Sequence, residues 1–258
     1  MWRACWRRRW RKVPEGWTAL LAFAPIAFAG AILYGLSGFG SALITVPLAA
    51  QFLPLPFVIA TFSLVDLSGA LRLGLENPRN AVRGEVVRMV PMIVVGLALG
   101  ATLLVNLPRA AGMIALGLFI SIFAVYSLAR RASHGIVGTL WAYVAGVAGG
   151  ITGSLFGAGG PPYAIYLAHR PLTKEQYRAT LTMTSIFSIG LRVIAFLITG
   201  LLADVKVWIA AAIAIPATLA GIAVASRIFR RISREAVMRV VALTLLAVGA
   251  ALIVRALV

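Results

Sequence analysis

Apolar residues dominate the chain in long runs, which are separated by short segments rich in arginine. A helix needs about 20 apolar residues to cross a hydrocarbon core. Runs of that order occupy about 17 to 36, 57 to 73, 88 to 107, 109 to 129, 137 to 156, 179 to 202, 206 to 226 and 236 to 257. Two further runs, about 40 to 53 and 160 to 169, are shorter. The pattern predicts an all-α integral membrane protein.

Both short runs follow a cluster of glycines. The first is preceded by "GLSGFGS" and the second by "LFGAGGPP", which places two prolines next to the glycines. Glycine and proline interrupt helices, and an interrupted backbone survives inside a bilayer only where it is buried in protein or lines a watery cavity. The two clusters therefore predict helix breaks at a protected site.

The two clusters also belong to an internal repeat. "GAILYGLSGFGSALITVPLA" aligns with "GGITGSLFGAGGPPYAIYLA", which begins 119 positions later, and "VPMIVVGLALG" aligns with "IPATLAGIAVA" at an offset of 125. Fixed-period similarity of this kind indicates duplicated units. We expect a basic tail over 1–16 and two transmembrane repeats, 17–129 and 130–258. Each repeat has about four to five helices and carries a broken helix or short half-helix at its glycine motif.

Composition places the basic residues on the membrane surface. The chain is 61% hydrophobic and 12% charged, with a net charge of +17 and a mean hydropathy of +0.98. A soluble domain would carry about a quarter charged residues. Because the basic residues fall mostly between apolar runs, they indicate topology by the positive-inside rule and predict a lipid bilayer as the partner instead of nucleic acid.

The opening "MWRACWRRRWRK" predicts a cytoplasmic amino terminus that anchors the first span. A cleaved signal peptide ending near "AFAGA" is the alternative. Arginines also mark cytoplasmic loops near Arg79, Arg130 and Arg227. With a cytoplasmic amino terminus, these loops fit best if the first short segment turns back and the second crosses, so the number of passes stays open.

Half-helices of this kind predict an anion site. Transporters built from repeats often aim the amino-terminal ends of discontinuous helices at an anionic substrate, since free amides and the helix dipole attract negative charge. The alternative is that the glycines only permit close helix packing. The candidate substrate-binding residues at the two breaks are Gly38, Phe39, Gly40, Ser41, Gly157, Gly159, Gly160 and Pro161.

The helix after each break adds hydroxyl groups and an arginine on one face. At about 100° per residue, the first set falls within roughly 40° and the second within roughly 60°. Arg192 lies near the middle of its apolar span, where a charge needs a cavity or a partner. Arg72 lies nearer its helix end, so it could instead snorkel to the interface. The two sets are Thr61, Ser68 and Arg72, and Ser185, Ser188 and Arg192.

Asp66 is an acid within a predicted span. It could take up and release a proton during transport, or it could neutralise an arginine such as Arg72 or Arg192. Tyr34, Tyr163 and Tyr166 could donate hydrogen bonds to an anion, although tyrosines also serve packing and the interface.

Residues typical of enzymes are scarce. The chain has one cysteine, Cys5 in the basic tail, and two histidines, His134 and His169, at the ends of spans or in loops. It contains no nucleotide-binding loop and no metal-ligand spacing. We therefore expect no catalytic residues, no bound metal, no cofactor and no enzymatic activity.

The two glycine motifs, with the proline-led helix and the arginine-led hairpin that close each half, resemble the TauE/SafE sulfite exporter family. The similarity covers nearly the whole chain after about Gly16 and matches Gly38, Gly40, Gly157, Gly159 and Gly160, with Pro161 and Pro162 extending the second motif. This resemblance implies a secondary carrier in the bacterial inner membrane. It also implies a cargo of small sulfur-containing anions, such as sulfite, sulfoacetate or other organosulfonates, and transport outward.

Other functions stay open at this stage. A carrier of small carboxylates would use the same kind of anion site. A passive anion channel would need no coupling to Asp66. A membrane-embedded enzyme would need paired acids or a metal site at membrane depth, and Asp66 alone does not provide either. The sequence also leaves open whether the protein forms a homodimer.

Overall fold

A computed structural model describes residues 23–37, 41–75, 78–129, 137–228 and 234–257. Within these ranges the chain forms ten α-helices and one 3-10 turn, and no β-strand. The predicted all-α architecture is confirmed. The basic tail over 1–16 lies outside the described residues, as do Gly38, Phe39 and Gly40 of the first glycine motif.

The helices follow the apolar runs closely. In chain order they are α1 Phe23–Ser37, α2 Ser41–Ala50, α3 Leu55–Gly74, α4 Arg83–Asn106, α5 Arg109–Ala129, α6 Trp141–Phe156, α7 Gly160–Leu167, α8 Lys174–Thr199, α9 Val205–Ile228 and α10 Arg234–Leu257. The 3-10 turn, Pro78–Asn80, joins α3 to α4.

Several of these helices can cross a membrane by length and composition. Four segments qualify, namely Leu55–Gly74, Arg83–Leu104, Lys174–Thr199 and Val205–Ala225. Apolar but shorter helices accompany them, including Ser41–Ala50 and Trp141–Phe156. The predicted multi-pass membrane protein is confirmed, and the short helices need a separate account.

Helices α6 and α7 form a hairpin that enters and leaves the membrane on one face. The amide of Val137, just before α6, donates to the carbonyl of His169, just after α7, at 3.2 Å. Deeper in the hairpin, Gly153 packs beside Gly159. The expectation that the second short segment crosses is therefore wrong. Its eight residues span about 12 Å, less than half of a hydrocarbon core.

Helices α1 and α2 form a second hairpin, which enters from the opposite face. Gly30 packs against Ser41 and Thr45, so the two helices run antiparallel. Helix α1 runs parallel to α9, because Phe28 lies beside Gly221 and Gly35 lies further along beside Ala225. Helix α9 runs towards the face from which the α6–α7 hairpin enters, so α1 begins at the other face.

We call the face that holds the start of α6 and the end of α7 the arginine face. Helix α3 ends there and α4 and α8 begin there, since the Val82 amide donates to Thr180 Oγ1 at 2.9 Å. The exposed or half-buried basic residues on this face include Arg79, Arg83, Arg170, Lys174 and Arg178.

A buried acid fixes the α6–α7 hairpin to α4 on this face. Glu85 of α4 accepts from Tyr166 Oη at 2.5 Å and from Arg170 Nε at 2.9 Å. Arg170 Nη1 also donates to the carbonyl of Val137 at 2.9 Å. These bonds hold both ends of the hairpin, and thus the depth at which α7 begins.

Glycines allow helices of the two halves to pack at backbone distance. Gly146 and Gly150 of α6 face α4, where Gly96 in turn faces Val147. A Cβ at Gly150 would lie 2.5 Å from the Ile93 carbonyl oxygen and 2.8 Å from the Leu97 amide nitrogen. Small residues play this part in membrane interiors, where the hydrophobic effect does not drive helices together.

We expect Gly150→Ala to destabilise the protein, because the added methyl group meets backbone atoms that cannot move independently. Overpacking of this kind costs about 1–3 kcal/mol. The measurement is the apparent thermal midpoint in detergent, together with the monodisperse fraction after heating. Gly190→Ala is the matched control, since a Cβ there has open space and alanine favours a helix. Equal midpoints for the two variants would contradict the close-packing interpretation.

Candidate functional site

A small cavity lies where the two hairpins meet. Its walls include Ser41 at the start of α2, Gly159 and Gly160 at the start of α7, Asp66 of α3 and Arg192 of α8. The cavity volume is about 30 Å³, and one water needs about 10–15 Å³ by the same measure. The space therefore suits a very small polar solute.

The α6–α7 break brings a helix amino terminus to this cavity. Gly157 adopts a left-handed backbone, with φ 70° and ψ 0°, and ends α6. Its amide turns back to the Gly153 carbonyl at 3.0 Å. Helix α7 then begins at Gly160, and Pro161 and Pro162 in its first turn contribute no amide donors. The amides of Gly159 and Gly160 are thus the backbone donors at this end.

Helix α2 presents its own amino terminus to the same cavity. Its first two residues, Ser41 and Ala42, both line the wall. The first amides of a helix have no intrahelical partner, and the dipole makes this end electropositive. The structure thus brings Ser41 together with Gly157, Gly159, Gly160 and Pro161, which come from the other half of the chain.

Arg192 is the charged donor of the site. Its side chain is 2% exposed and lies about two turns before the end of α8 at Thr199. Nη1 donates to the Gly153 carbonyl at 2.8 Å, and Nη2 contacts Asp66 Oδ2 at 3.4 Å. Nε is buried and has no hydrogen-bond partner among the residues that the structure describes. A buried guanidinium N–H without a partner is costly, so Nε could donate to an acceptor that enters the cavity.

Asp66 balances this charge. The residue is 8% exposed, and besides the contact with Arg192 its Oδ1 accepts from Ser41 Oγ at 2.9 Å. The ion pair joins the two halves of the chain, since α3 and α8 lie side by side and run antiparallel. Ser41 was predicted to bind substrate, and in this structure its hydroxyl is engaged with Asp66.

Two further hydroxyl groups border the cavity. Tyr163 Oη and Ser188 Oγ lie 3.0 Å apart, and either can be the donor in this bond. The hydroxyl that accepts this bond can still donate its own hydrogen to another partner. Ser185 also lines the cavity, although its hydroxyl donates to the Leu181 carbonyl at 2.9 Å.

Other predicted site residues lie elsewhere. Thr61 is fully buried in α3, and its hydroxyl has no partner in the part of the chain that the structure describes, but it is not among the cavity-lining residues. Arg72 is exposed near the end of α3 and does not line the cavity either. Gly38, Phe39 and Gly40 fall in the segment just before α2, outside the described residues.

Sequence reasoning missed two polar groups near the site. The Gly153 carbonyl, which accepts from Arg192, carries no signal in the sequence because every residue has a carbonyl. Thr218 of α9 lines a second cavity beside Asp66. A polar residue in the apolar run "IPATLAG" could have identified it. Tyr34, considered only as a general donor, lines both cavities.

The arrangement has donors that could hold a small anion. Two electropositive helix ends, one arginine N–H and a hydroxyl pair converge on one space within the membrane. The Arg192–Asp66 pair leaves the empty site neutral overall, since one full charge of each sign is present. An incoming anion would be bound by directed donors and by whatever part of the arginine charge is released from Asp66.

Comparison with known proteins places the chain in a family. The family model described as "Sulfite exporter TauE/SafE" matches residues 22–252, which is nearly the entire chain. No curated protein and no solved structure gave a match. Because the family model covers both hairpins, the first nine helices and most of α10, the chain belongs to the TauE/SafE sulfite exporter family of membrane transporters.

Proposed function

We propose that this protein is a secondary transporter that exports small sulfur-containing anions, such as sulfite, sulfoacetate or other organosulfonates. The anion is held between the starts of α2 and α7. The proposal rests on one observation: within the described part of the chain, the buried Nε of Arg192 has no partner. Arg192 lines a cavity between two helix amino termini.

The donor arrangement favours an oxyanion with several oxygens. Donors reach the cavity from three helices: Arg192 and Ser188 from α8, Tyr163 and the first amides from α7, and the first amides from α2. A sulfite or sulfonate group offers three oxygens that point in different directions, whereas a carboxylate offers two in one plane. The small volume of about 30 Å³ favours sulfite over larger organosulfonates in this conformation.

We also propose that the two halves, 17–129 and 130–258, are an inverted repeat. Helices α1 and α6, α3 and α8, and α4 and α9 occupy equivalent places in the two halves and run in opposite directions. The cross-half pairs support this arrangement, since α1 packs along α9 as α6 packs along α4. Inverted repeats with a site at their junction are a common basis for alternating access.

The charge distribution supports one orientation in the bacterial inner membrane. The arginine face carries the exposed basic residues around Arg79, Arg83 and Lys174, so the positive-inside rule makes it cytoplasmic. Helix α1 begins at the opposite face. The start of α1 and the arginine loops therefore lie on opposite faces, so they cannot both be cytoplasmic. We assign the cytoplasmic side to the arginine face.

We expect Arg192→Lys to weaken sulfite binding by at least about tenfold. Lysine keeps the positive charge beside Asp66 but lacks the Nε–H, and a hydrogen bond between charged groups is worth about 1.5–3 kcal/mol. The measurement is sulfite affinity of the purified protein by calorimetry, followed by flux of labelled sulfite into proteoliposomes.

The matched control for this substitution is Arg72→Lys. Arg72 follows the same Ser-x-x-Leu pattern in the first half but is exposed and does not line the cavity, so sulfite affinity should stay within a factor of about two. Unchanged affinity in Arg192→Lys, or an equal loss in both variants, would rule out Arg192 as the anion donor. Displacement of sulfite by acetate as readily as by methanesulfonate would favour the carboxylate carrier.

The orientation can be checked by cysteine labelling in intact cells. With Cys5 replaced by serine, we expect a cysteine at Ala203, in the loop between α8 and α9, to react with a membrane-impermeant maleimide. A cysteine at Asn80, on the arginine face, should react only after permeabilisation. The reverse pattern would invert the proposed orientation. Labelling of the native Cys5 in the otherwise unaltered chain reports the side on which the amino terminus lies.

A further inference from the structure

A second, smaller cavity adjoins the anion cavity beside Asp66. The two cavities share Tyr34, Ser41 and Asp66, and the second is completed by residues of α1, α3 and α9 that include Thr218. Its volume is about 10 Å³, which corresponds to roughly one water molecule. The position places a water-sized space directly against the carboxylate that neutralises Arg192.

Two buried hydroxyl groups line this space without a partner. Tyr34 is 4% exposed and Thr218 is 5% exposed, and neither Tyr34 Oη nor Thr218 Oγ1 has a hydrogen bond within the described residues. Both side chains rest on Gly69, where a Cβ would lie 3.6 Å from Tyr34 Cε1 and 3.7 Å from Thr218 Cγ2. Unpaired buried hydroxyls are costly, so the space calls for a polar occupant.

A water molecule suits this space better than a metal cation. Water can donate to Asp66 and to one hydroxyl while it accepts from the other, which meets the two to four partners that buried water requires. A dehydrated metal cation needs a fuller shell of oxygens. The guanidinium of Arg192, only 3.4 Å from the same carboxylate, would repel it.

We infer that this cavity holds one internal water, and that Asp66 takes up one proton through it each time an anion binds beside Arg192. The inference rests on the proposed function and adds its coupling ion. The protein then moves the anion together with a proton, so export is driven by the outward concentration gradient of the anion and not by the proton gradient.

Charge balance within the membrane supports this coupling. The Asp66–Arg192 pair is neutral, so a bound monoanion alone would leave one uncompensated negative charge in a site of low polarity, which is unfavourable. If a hydronium ion transfers its proton to Asp66 and becomes water, the loaded site is neutral again. Arg192 then directs its full positive charge to the anion. When the anion leaves, the proton returns to water and the ion pair forms again.

Among the groups that surround the small cavity, Asp66 is the one that can change its protonation state near neutral pH. It faces Arg192 from α8, Ser41 from α2, Tyr34 from α1 and Thr218 from α9, and Tyr163 of α7 lies on the other side of the anion cavity. Arginine and tyrosine ordinarily keep their protons near neutral pH, and serine and threonine do not ionise there. Among these groups, the carboxylate is therefore the proton acceptor.

The primary test compares proton uptake in the wild type and in Asp66→Asn. Sulfite binding to the full-length purified protein is measured by calorimetry in buffers of different ionisation enthalpy, which gives the number of protons taken up per anion. The wild type should take up about one proton more than the variant. The same comparison with methanesulfonate, which does not change its protonation near neutral pH, assigns the difference to the protein. In proteoliposomes, a proton gradient should drive accumulation of labelled sulfite by the wild type and fail to do so with Asp66→Asn.

The internal water is tested by two milder variants. Thr218→Val and Tyr34→Phe each remove one hydroxyl from the small cavity. Each should slow proton-driven sulfite uptake by about two- to tenfold, the effect of one lost hydrogen bond. Thr45→Val is the matched control. Thr45 Oγ1 is also buried and has no partner among the described residues, but Thr45 lines neither cavity. Its uptake should equal that of the wild type.

The outcomes separate the two proposals. If the wild type neither binds nor exchanges sulfite or methanesulfonate, the proposed function fails and the coupling falls with it. If the wild type exchanges sulfite but takes up no more protons than Asp66→Asn, the coupling alone is overturned. Should Asp66→Asn not fold, equal proton-driven uptake in Thr218→Val, Tyr34→Phe and Thr45→Val overturns it instead.

Discussion

The guanidinium of Arg192 holds three helices together at one depth of the membrane. It belongs to α8, it donates to the Gly153 carbonyl near the end of α6, and it contacts Asp66 of α3. A charge at this depth is tolerated only with partners, and a broken helix only with its backbone groups satisfied. The Arg192 side chain gains a partner for its charge and supplies a donor to a backbone carbonyl near the break, at the place where the two hairpins converge. The same contacts therefore form the site and stabilise the helix break.

Close backbone packing explains how the hairpins are held in place. Neither hairpin is supported mainly by its own half of the chain. Helix α6 lies along α4 through Gly96, Gly146 and Gly150, and α1 lies along α9 through Gly35 and Gly221. Each hairpin is therefore carried by a long helix of the other half. If one half moves, it therefore displaces the hairpin of the other half that packs on it. Helix motion is thus physically linked to access of the anion to its site.

Much of the fold was predictable because the hydropathy of each residue can be read from the sequence without knowing its contacts. The apolar runs correspond to the helices, and the glycine clusters correspond to the α6–α7 break and to the position just before α2. The second short segment was wrongly expected to cross, since the charge pattern was fitted to an assumed cytoplasmic amino terminus. The length of this helix, eight residues, predicts the topology better than the charge pattern, because a helix of that length cannot span the hydrocarbon core.

The site was only partly predictable, since its contacts depend on register between distant helices. Arg192 could be identified alone, as a charge within an apolar run. Its contact with Asp66, 126 positions away, depends on how α3 and α8 are aligned. Arg72 and Arg192 share the local pattern Ser-x-x-Leu-Arg, yet α3 ends at Gly74 whereas α8 continues to Thr199. The remaining length of helix, which no motif encodes, leaves one arginine exposed and the other buried.

The two hairpins are anchored differently, and the difference bears on which one moves. Helix α7 is fixed at its far end by Glu85, through Tyr166 and Arg170. In the described part of the first hairpin, the polar bond from α2 to another helix is that of Ser41 to Asp66. A hydroxyl binds a carboxylate more strongly than a neutral carboxyl group. Protonation of Asp66 would therefore release Arg192 to the anion and weaken the hold on α2 in one step. Anion binding, proton uptake and release of the less anchored hairpin then depend on a single carboxylate.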